Sequence, residues 1–304
     1  MNTYFKIKTI LTLSLAIVFT VVGCTKVERD DTVVKGDPPP VPGGFTNSSQ
    51  VAAANLLAYW NFETNNNETK SNAAPLVERN ASVTTGIKGK ALKLNAGFVL
   101  YPTITALSSA NAISSCTVSL WVNFANNGSQ ASEFFSLSKS TAAQNDWLGI
   151  LNIAAETGRS ASEQNIVFHT WIGSYPTGNR NGGDNINDYG AVGVDFQTVA
   201  GANKWVQYIM VWNAATENLD LYANNIRVSN NNFRHRGGLG PIVSPTPTQV
   251  LLGGFPTSDT GFTLSGAQGW QALLTGSLDE IRVYNKALTE AEISALYQLE
   301  RQGR

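Results

Sequence analysis

Cysteine, methionine and histidine each occur only twice in the 304 residues. Two cysteines cannot build the disulfide framework on which small secreted domains rely, so the fold must rest on a packed core. Two histidines, His169 and His235, leave no metal-ligand spacing to read and no Ser-His-Asp order. Charged residues make up only 14% of the chain and its formal net charge is -1. No block of Lys and Arg stands out, which argues against a nucleic-acid partner. With 42% hydrophobic residues and so little charge, the surface must be polar mainly through Asn, Ser, Thr and Gly, as in secreted β-rich proteins.

Long apolar runs are also scarce. The only one, Ile10–Gly23, follows Lys6 and Lys8 and has 14 residues, short of the roughly 20 that a membrane-spanning helix needs. It reads as the apolar region of a signal peptide, residues 1–23. It ends Val21-Val22-Gly23-Cys24, which resembles a bacterial lipobox. That resemblance implies cleavage before Cys24 and a new N-terminal Cys24 that carries the acyl chains (palmitate among them), and hence a lipid-anchored protein of the outer membrane. Each buried CH₂ of such chains is worth about 0.8 kcal/mol. The run Lys26–Asp31 is similar to the acidic stretch that follows the lipid site in surface-exported lipoproteins, although Lys26 and Arg29 interrupt it. The expected location is the cell surface; the plainer alternative is an ordinary solvated linker. Residues 24–50, with Pro38-Pro39-Pro40, Pro42 and Gly43-Gly44, read as a tether of polyproline II and hinge character. Fully extended at about 3.1 Å per residue, it would reach roughly 80 Å. With Cys24 acylated, Cys116 has no partner and reads as a small buried hydrophobe.

Residues 51–304 read as one domain of many short strands. The clearest is Thr117–Phe124, where Val118, Leu120, Val122 and Phe124 alternate with Ser119, Trp121 and Asn123. Further strands are expected at Ala58–Phe62, Gly86–Leu94, Gly97–Tyr101, Phe134–Leu137, Leu148–Ile153, Ile166–Trp171, Val192–Phe196, Trp205–Asn213, Leu219–Ala223, Ile226–Ser229 and Val250–Leu252. Gly, Asn, Pro and Ser clusters separate them, which argues an antiparallel β-sandwich. One helix closes the chain. In Gly276–Tyr297 a strand with Ile281 and Val283 on one face and Glu280, Arg282 and Tyr284 on the other leads into Thr289. Thr289 and Glu292 have capping-box spacing, and Leu288 and Ile293 are placed as a hydrophobic staple.

Five stretches in order, AYWNF, GIKGKALKLN, CTVSLWVNF, KWVQYIMVWNAATENLDLYANNIRV and SLDEIRVYNKALTEAEISALY, resemble laminin G-like, concanavalin A-type lectin/glucanase domains and together cover most of Leu56–Tyr297. The resemblance implies an all-β jelly roll with carbohydrate or protein ligands on a concave face or in rim loops. Glucanases of this fold carry carboxylates spaced as Glu-x-Asp-x-x-Glu on one strand face, and no such cluster occurs here. Asp279 and Glu280 are adjacent and so are expected on opposite faces of their strand. A non-catalytic domain is therefore expected. In related sandwiches a Ca²⁺ bridges the opening and last strands. Asp279 matches that aspartate and Glu63 is placed to face it, although the loop Asn65-Asn66-Asn67-Glu68 is poorer in charge than the family's; the alternative is an Asp279 that accepts backbone N–H bonds.

The stretch Ser174–Tyr189 reads as a long functional loop. Sugar recognition needs flat aromatic faces and side chains that pair with hydroxyls. Tyr175, Asp184, Asn185, Asp188 and Tyr189 supply those types here, with Trp147 and Trp270 in other loops and Trp171 on a strand; core packing is the alternative for the strand tryptophans. Glycan binding, as an accessory of an outer-membrane polysaccharide-capture system, is the expected function. The alternative is a structural or protein-interaction subunit docking on an outer-membrane transporter or matrix complex.

Overall fold

The computed structural model describes residues 41–156, 163–263 and 266–304. Cys24, the signal peptide and the first part of the tether lie outside them. Among the described residues fourteen strands and one α-helix follow in order: β1 Leu56–Trp60, β2 Val77–Thr85, β3 Lys90–Leu100, β4 Cys116–Phe124, β5 Ala131–Lys139, β6 Leu151–Ala155, β7 Phe168–Ser174, β8 Asn181–Ile186, β9 Val206–Asn213, β10 Asn218–Ala223, β11 Ile226–Arg227, β12 Thr248–Leu252, β13 Gln271–Ala272, β14 Leu274–Tyr284 and α1 Glu290–Arg301.

One half of the sheet runs β11–β10–β9–β4–β14–β3–β2, with β1 beside the second part of β14. The other runs β12–β5–β6–β7–β8. Strand β3 joins them: Leu92–Gly97 pairs with β14, with a register shift between Leu94 and Gly97 where Ala96 takes a φ of 47°, and Val99 and Leu100 pair with β12. All of these pairings are antiparallel; only the two-residue β13 lies parallel, on β5. The ribbon curls until its halves face each other. Phe168 of β7 stacks on Tyr208 of β9 with centroids 4.1 Å apart, and Phe124 of β4 meets Phe134 of β5 edge-on at 5.0 Å. The Thr170 and Tyr208 hydroxyls close the same gap at 2.5 Å. Residues at the alternating positions Val118, Leu120, Val122 and Phe124 fill this core, as their period of two requires. Cys116 lies buried among them, and burial pushes its thiol up to about 12.

Helix α1 caps the outside of the first half-sheet. The Thr289 hydroxyl accepts from Glu292 N, and the Glu292 carboxylate accepts from Thr289 N at 2.8 Å. Leu288, Ile293, Leu296 and Leu299 pack with Tyr284, Ile209 and Val211 on that face, each buried side chain worth about 1.5–3 kcal/mol. Beneath the helix lies a closed polar network. Arg282, 1% exposed, donates from Nε to Glu300 at 2.8 Å and from Nη2 to Glu280, while Trp121 and Gln207 donate to the other Glu300 oxygen at 2.7 and 2.9 Å.

Four expectations are corrected. The tether stops short of Gln50, because Val41 and Val51 are buried against the helix cluster and Ser48 N donates to the Arg304 carbonyl. Asp279 and Glu280 do not point to opposite faces. A bulge in β14 between Asp279 and Arg282, with Glu280 at φ 47°, inserts one residue opposite β4, so both side chains leave the core side. Residues 192–196 form a turn held by the Gly193 N to Phe196 carbonyl bond rather than a strand. The long loop from Ser174 is a hairpin, because residues 181–186 pair with β7 in full register.

Candidate functional site

The outward face of the second half-sheet collects the chemistry. Antiparallel partners share a face, so the register brings Glu133, Ala154, His169 and Ile186 into one row across β5–β8. Ser136, Asn152, Trp171 and Asp184 form the next. Two loops flank these rows with aromatic rings. The β5–β6 loop carries Trp147 and is braced by Gln144, whose amide accepts from Lys139 N and donates to the Leu148 carbonyl. The segment after β12 carries Phe255 and Trp270; the Trp270 carbonyl accepts from Ala131 N at 2.7 Å, which extends the edge of β5 and fixes the ring.

Four rings converge. Trp147 and Trp270 meet edge-to-face with centroids 5.0 Å apart, Phe255 meets Trp270 edge-on at 5.2 Å, and Trp171 lies 6.3 Å from Trp270. Trp171 and Phe255 are buried, while Trp147 and Trp270 are half-buried, so each of the outer two offers indole surface to solvent. His169 stacks on Trp171 at 3.7 Å. Its Nδ1 lies 2.8 Å from Glu156 and its Nε2 3.2 Å from Asp184, whose other oxygen accepts from Arg236 at 3.0 Å. The two carboxylates raise the imidazole pKa against the opposing effect of burial. The bond to His169, helped by Arg236, holds the Asp184 carboxyl below its usual range. With its side chain 43% exposed, Asp184 remains an ionised acceptor open to a ligand. Behind this surface Glu133 is fully buried, and burial pushes its pKa well up.

The sequence-derived residues therefore divide. Trp147, Trp171, Asp184 and Trp270 come together on this face. Tyr175 does not join them: it is buried in the main core, with the Lys139 ammonium 4.6 Å from its ring. Asn185 faces inward, donating to the Leu219 carbonyl at 3.0 Å and accepting from Asn230 N. Asp188 and Tyr189 follow the end of β8, at a different rim. Glu156, His169, Arg236 and Phe255 belong to the site but were not selected from sequence. Both ring nitrogens of His169 are satisfied, by two carboxylates that only the fold brings near. For Phe255 a signal existed, an aromatic after Gly253-Gly254 like the glycine-flanked Trp270.

Glu63 and Asp279 both address the turn at residues 86–90. Asp279 Oδ2 accepts from Ile87 N at 2.9 Å and Lys88 N at 3.1 Å, and Oδ1 accepts from Glu280 N at 2.8 Å. Burial pushes its pKa up to about 8 against these bonds. Glu63 accepts from Lys90 N at 3.2 Å. A Cβ at Gly86 would stand 2.3 Å from Asp279 Oδ2, and one at Gly89 2.2 Å from Glu63, so the turn needs both glycines. Ca²⁺ wants about six to eight oxygens. Here the carboxylates meet N–H donors, and among the described residues no three His, Cys, Asp or Glu side chains cluster for a metal. This donor set does not fit Ca²⁺.

The family pattern described as "Concanavalin A-like lectin/glucanases superfamily" (Laminin_G_3) matches residues 101–294, more than half of the chain. No curated protein sequence matches it. Among solved structures, the botulinum neurotoxin serotype D ligand binding domain in complex with N-acetylneuraminic acid is similar at 14% identity and TM-score 0.53, over 83% of this chain and 52% of that one. The receptor binding domain of the botulinum neurotoxin C/D mosaic serotype is similar at 15% identity and TM-score 0.51, over 81% and 51%. Domain 4 of AbnA, an extracellular arabinanase from Geobacillus stearothermophilus, in complex with arabinotriose, is similar at 19% identity and TM-score 0.48, over 80% and 98%. The chain spans about half the length of the toxin domains, and at these identities the likeness concerns the fold.

Proposed function

The chain belongs to the concanavalin A-like lectin/glucanase superfamily, and from that premise we propose that its outward aromatic face binds a glycan without cutting it. The observation that carries the reading is the convergence of Trp147, Trp171 and Trp270, from two loops and a strand, beside the ionised Asp184. Indole faces stack on the C–H-rich side of a pyranose, and a carboxylate accepts from two adjacent hydroxyls. The toxin domain's complex with N-acetylneuraminic acid supports a sugar as the ligand class.

The way the acids are held supports binding without hydrolysis. A retaining or inverting glycosidase needs two carboxyl groups flanking the scissile bond, about 5–9.5 Å apart. Glu156 and Asp184 do oppose each other, but the His169 ring fills the space between them and bonds to both. A glycosidic bond has no place there. The lipobox at Cys24 and the proline-rich segment extend the proposal. They support a head held off an outer membrane on a lipid anchor, accessory to a polysaccharide-uptake system in which an outer-membrane transporter complex is a partner.

Affinity electrophoresis in gels cast with a panel of polysaccharides tests the reading. At least one polysaccharide should retard the protein, and Trp270→Ala should abolish the retardation while leaving the circular dichroism unchanged. Equal mobility of the folded protein on every polysaccharide would overturn it and favour a protein-interaction role.

A further inference from the structure

A second pocket lies at another rim of the sandwich and shares no residue with the aromatic face. It is about 180 Å³ in volume and is bounded by residues 165–167, by Asn187 and Asp188 just after β8, and by Val192 and residues 196–199. At about 30 Å³ per water it has room for about six heavy atoms, one short chain or the amine-bearing edge of one sugar ring.

The walls are built, not draped. Gly190, at φ 87°, starts the far wall, and the Asp195 carboxylate accepts from Ala191 N at 2.7 Å while Asp195 N donates to the Ala191 carbonyl. Asn231 N donates to the Asp195 carbonyl at 2.6 Å, and Ile166 N bonds to the Val199 carbonyl at 2.8 Å, pinning the loop to the sheet. In the near wall Asn187 is only 2% exposed, and its Oδ1 has no hydrogen-bond partner among the described residues. A buried amide oxygen left without a donor is costly, so a polar ligand that donates to it is favoured. Among the described residues of the lining, Asp188 beside it carries the only formal charge, which is negative. Phe196 and Val192 supply apolar contact, and an aromatic face also attracts a cation.

We infer that this pocket is a second ligand site, for a primary ammonium group carried on a small ring or short chain. Its three N–H donors match the Asn187 amide oxygen and the Asp188 carboxylate, and its charge opposes that of Asp188. An amino sugar with a free amine and a lysine-like alkylammonium share this chemistry. The inference does not depend on the glycan reading of the aromatic face.

The test is chemical-shift mapping of the ¹⁵N-labelled full chain with four probes: glucosamine, n-pentylamine, glucose and N-acetylglucosamine. Glucosamine, pentylamine or both should move the Asn187, Asp188 and Gln197 amides, and the two neutral sugars should not. Shifts with glucosamine alone would identify an amino sugar as the source; shifts with pentylamine alone would identify an alkylammonium. Asp188→Asn should weaken the binding about tenfold, and Trp270→Ala should leave it unchanged. Asn187→Asp, which adds a second charge, should tighten it, so the inference stays testable if Asp188→Asn fails to fold. No shift from either amine, equal shifts from amine and neutral sugar, or affinity indifferent to the charge at positions 187 and 188 would overturn it.

Discussion

Replacing Glu300 with alanine should be among the most damaging single changes to this domain. Glu300 is fully buried on α1, and its two oxygens accept from three donors. Arg282 Nε lies at 2.8 Å, Trp121 Nε1 at 2.7 Å and Gln207 Nε2 at 2.9 Å. Alanine would leave the buried guanidinium with Glu280 and the Ser48 hydroxyl and leave the indole and amide donors unpaired. Breaking a buried pair by removing one partner costs about 3–5 kcal/mol. Each orphaned donor adds about 1–3 kcal/mol where the cavity admits no water. These costs are not additive, so about 4 kcal/mol is the working figure, a large part of the roughly 5–15 kcal/mol that holds a domain together. Equilibrium urea unfolding followed by tryptophan fluorescence measures it, and the melting temperature should fall by about 10 °C. Glu300→Gln, which keeps one acceptor for the indole or the guanidinium, should cost less than alanine. A loss under about 1 kcal/mol, the range of an exposed pair, would refute the reasoning and mean that α1 is held by its apolar stripe alone.

Three further outcomes follow from the same geometry. Stability should fall as pH rises from about 4.5 towards 8. Glu300, raised to about 7 by burial and Glu280 against the pull of Arg282, and Asp279, raised to about 8 by burial, bind protons more tightly folded than unfolded. The raised pKa of His169 acts in the same direction, while Asp184, lowered, loses its contribution only as pH falls below the usual carboxylate range; melting temperatures across pH 4 to 8 check the slope. Asp279→Ala should destabilise by about 2 kcal/mol by releasing the amides of Ile87, Lys88 and Glu280, with the turn at 86–89 showing faster amide exchange. Because the Glu63 and Asp279 oxygens face N–H donors, adding a chelator should leave the melting temperature unchanged; a drop restored by Ca²⁺ would contradict that account.

The closing elements were legible because their signals are local. The Thr289–Glu292 box, the Leu288–Ile293 staple and the alternation of Val118 to Phe124 all lie within a few residues and appear as expected. Strands β2 and β8 were not legible. In β2 most residues are exposed, so no apolar alternation marks it, and in β8 the run Asn181-Gly182-Gly183-Asp184 reads as loop until β7 supplies its partners. The β14 bulge likewise sets Glu280 against Tyr59, whose hydroxyl donates to it at 2.6 Å, a contact distant in sequence that spacing cannot encode. At the candidate site the aromatic half was found by residue type. The ionic half needed register: Glu156, His169, Asp184 and Arg236 meet only because β6, β7 and β8 are adjacent and a distant loop folds over them.

The most direct measurement follows the seven indole N–H resonances of the ¹⁵N-labelled protein as a polysaccharide fragment that retards it in gels is added. The account expects the Trp147 and Trp270 signals to move together at saturation, while those of Trp60, Trp121 and Trp212, buried in the core or under α1, stay still. Saturable binding that leaves Trp147 and Trp270 in place would contradict it.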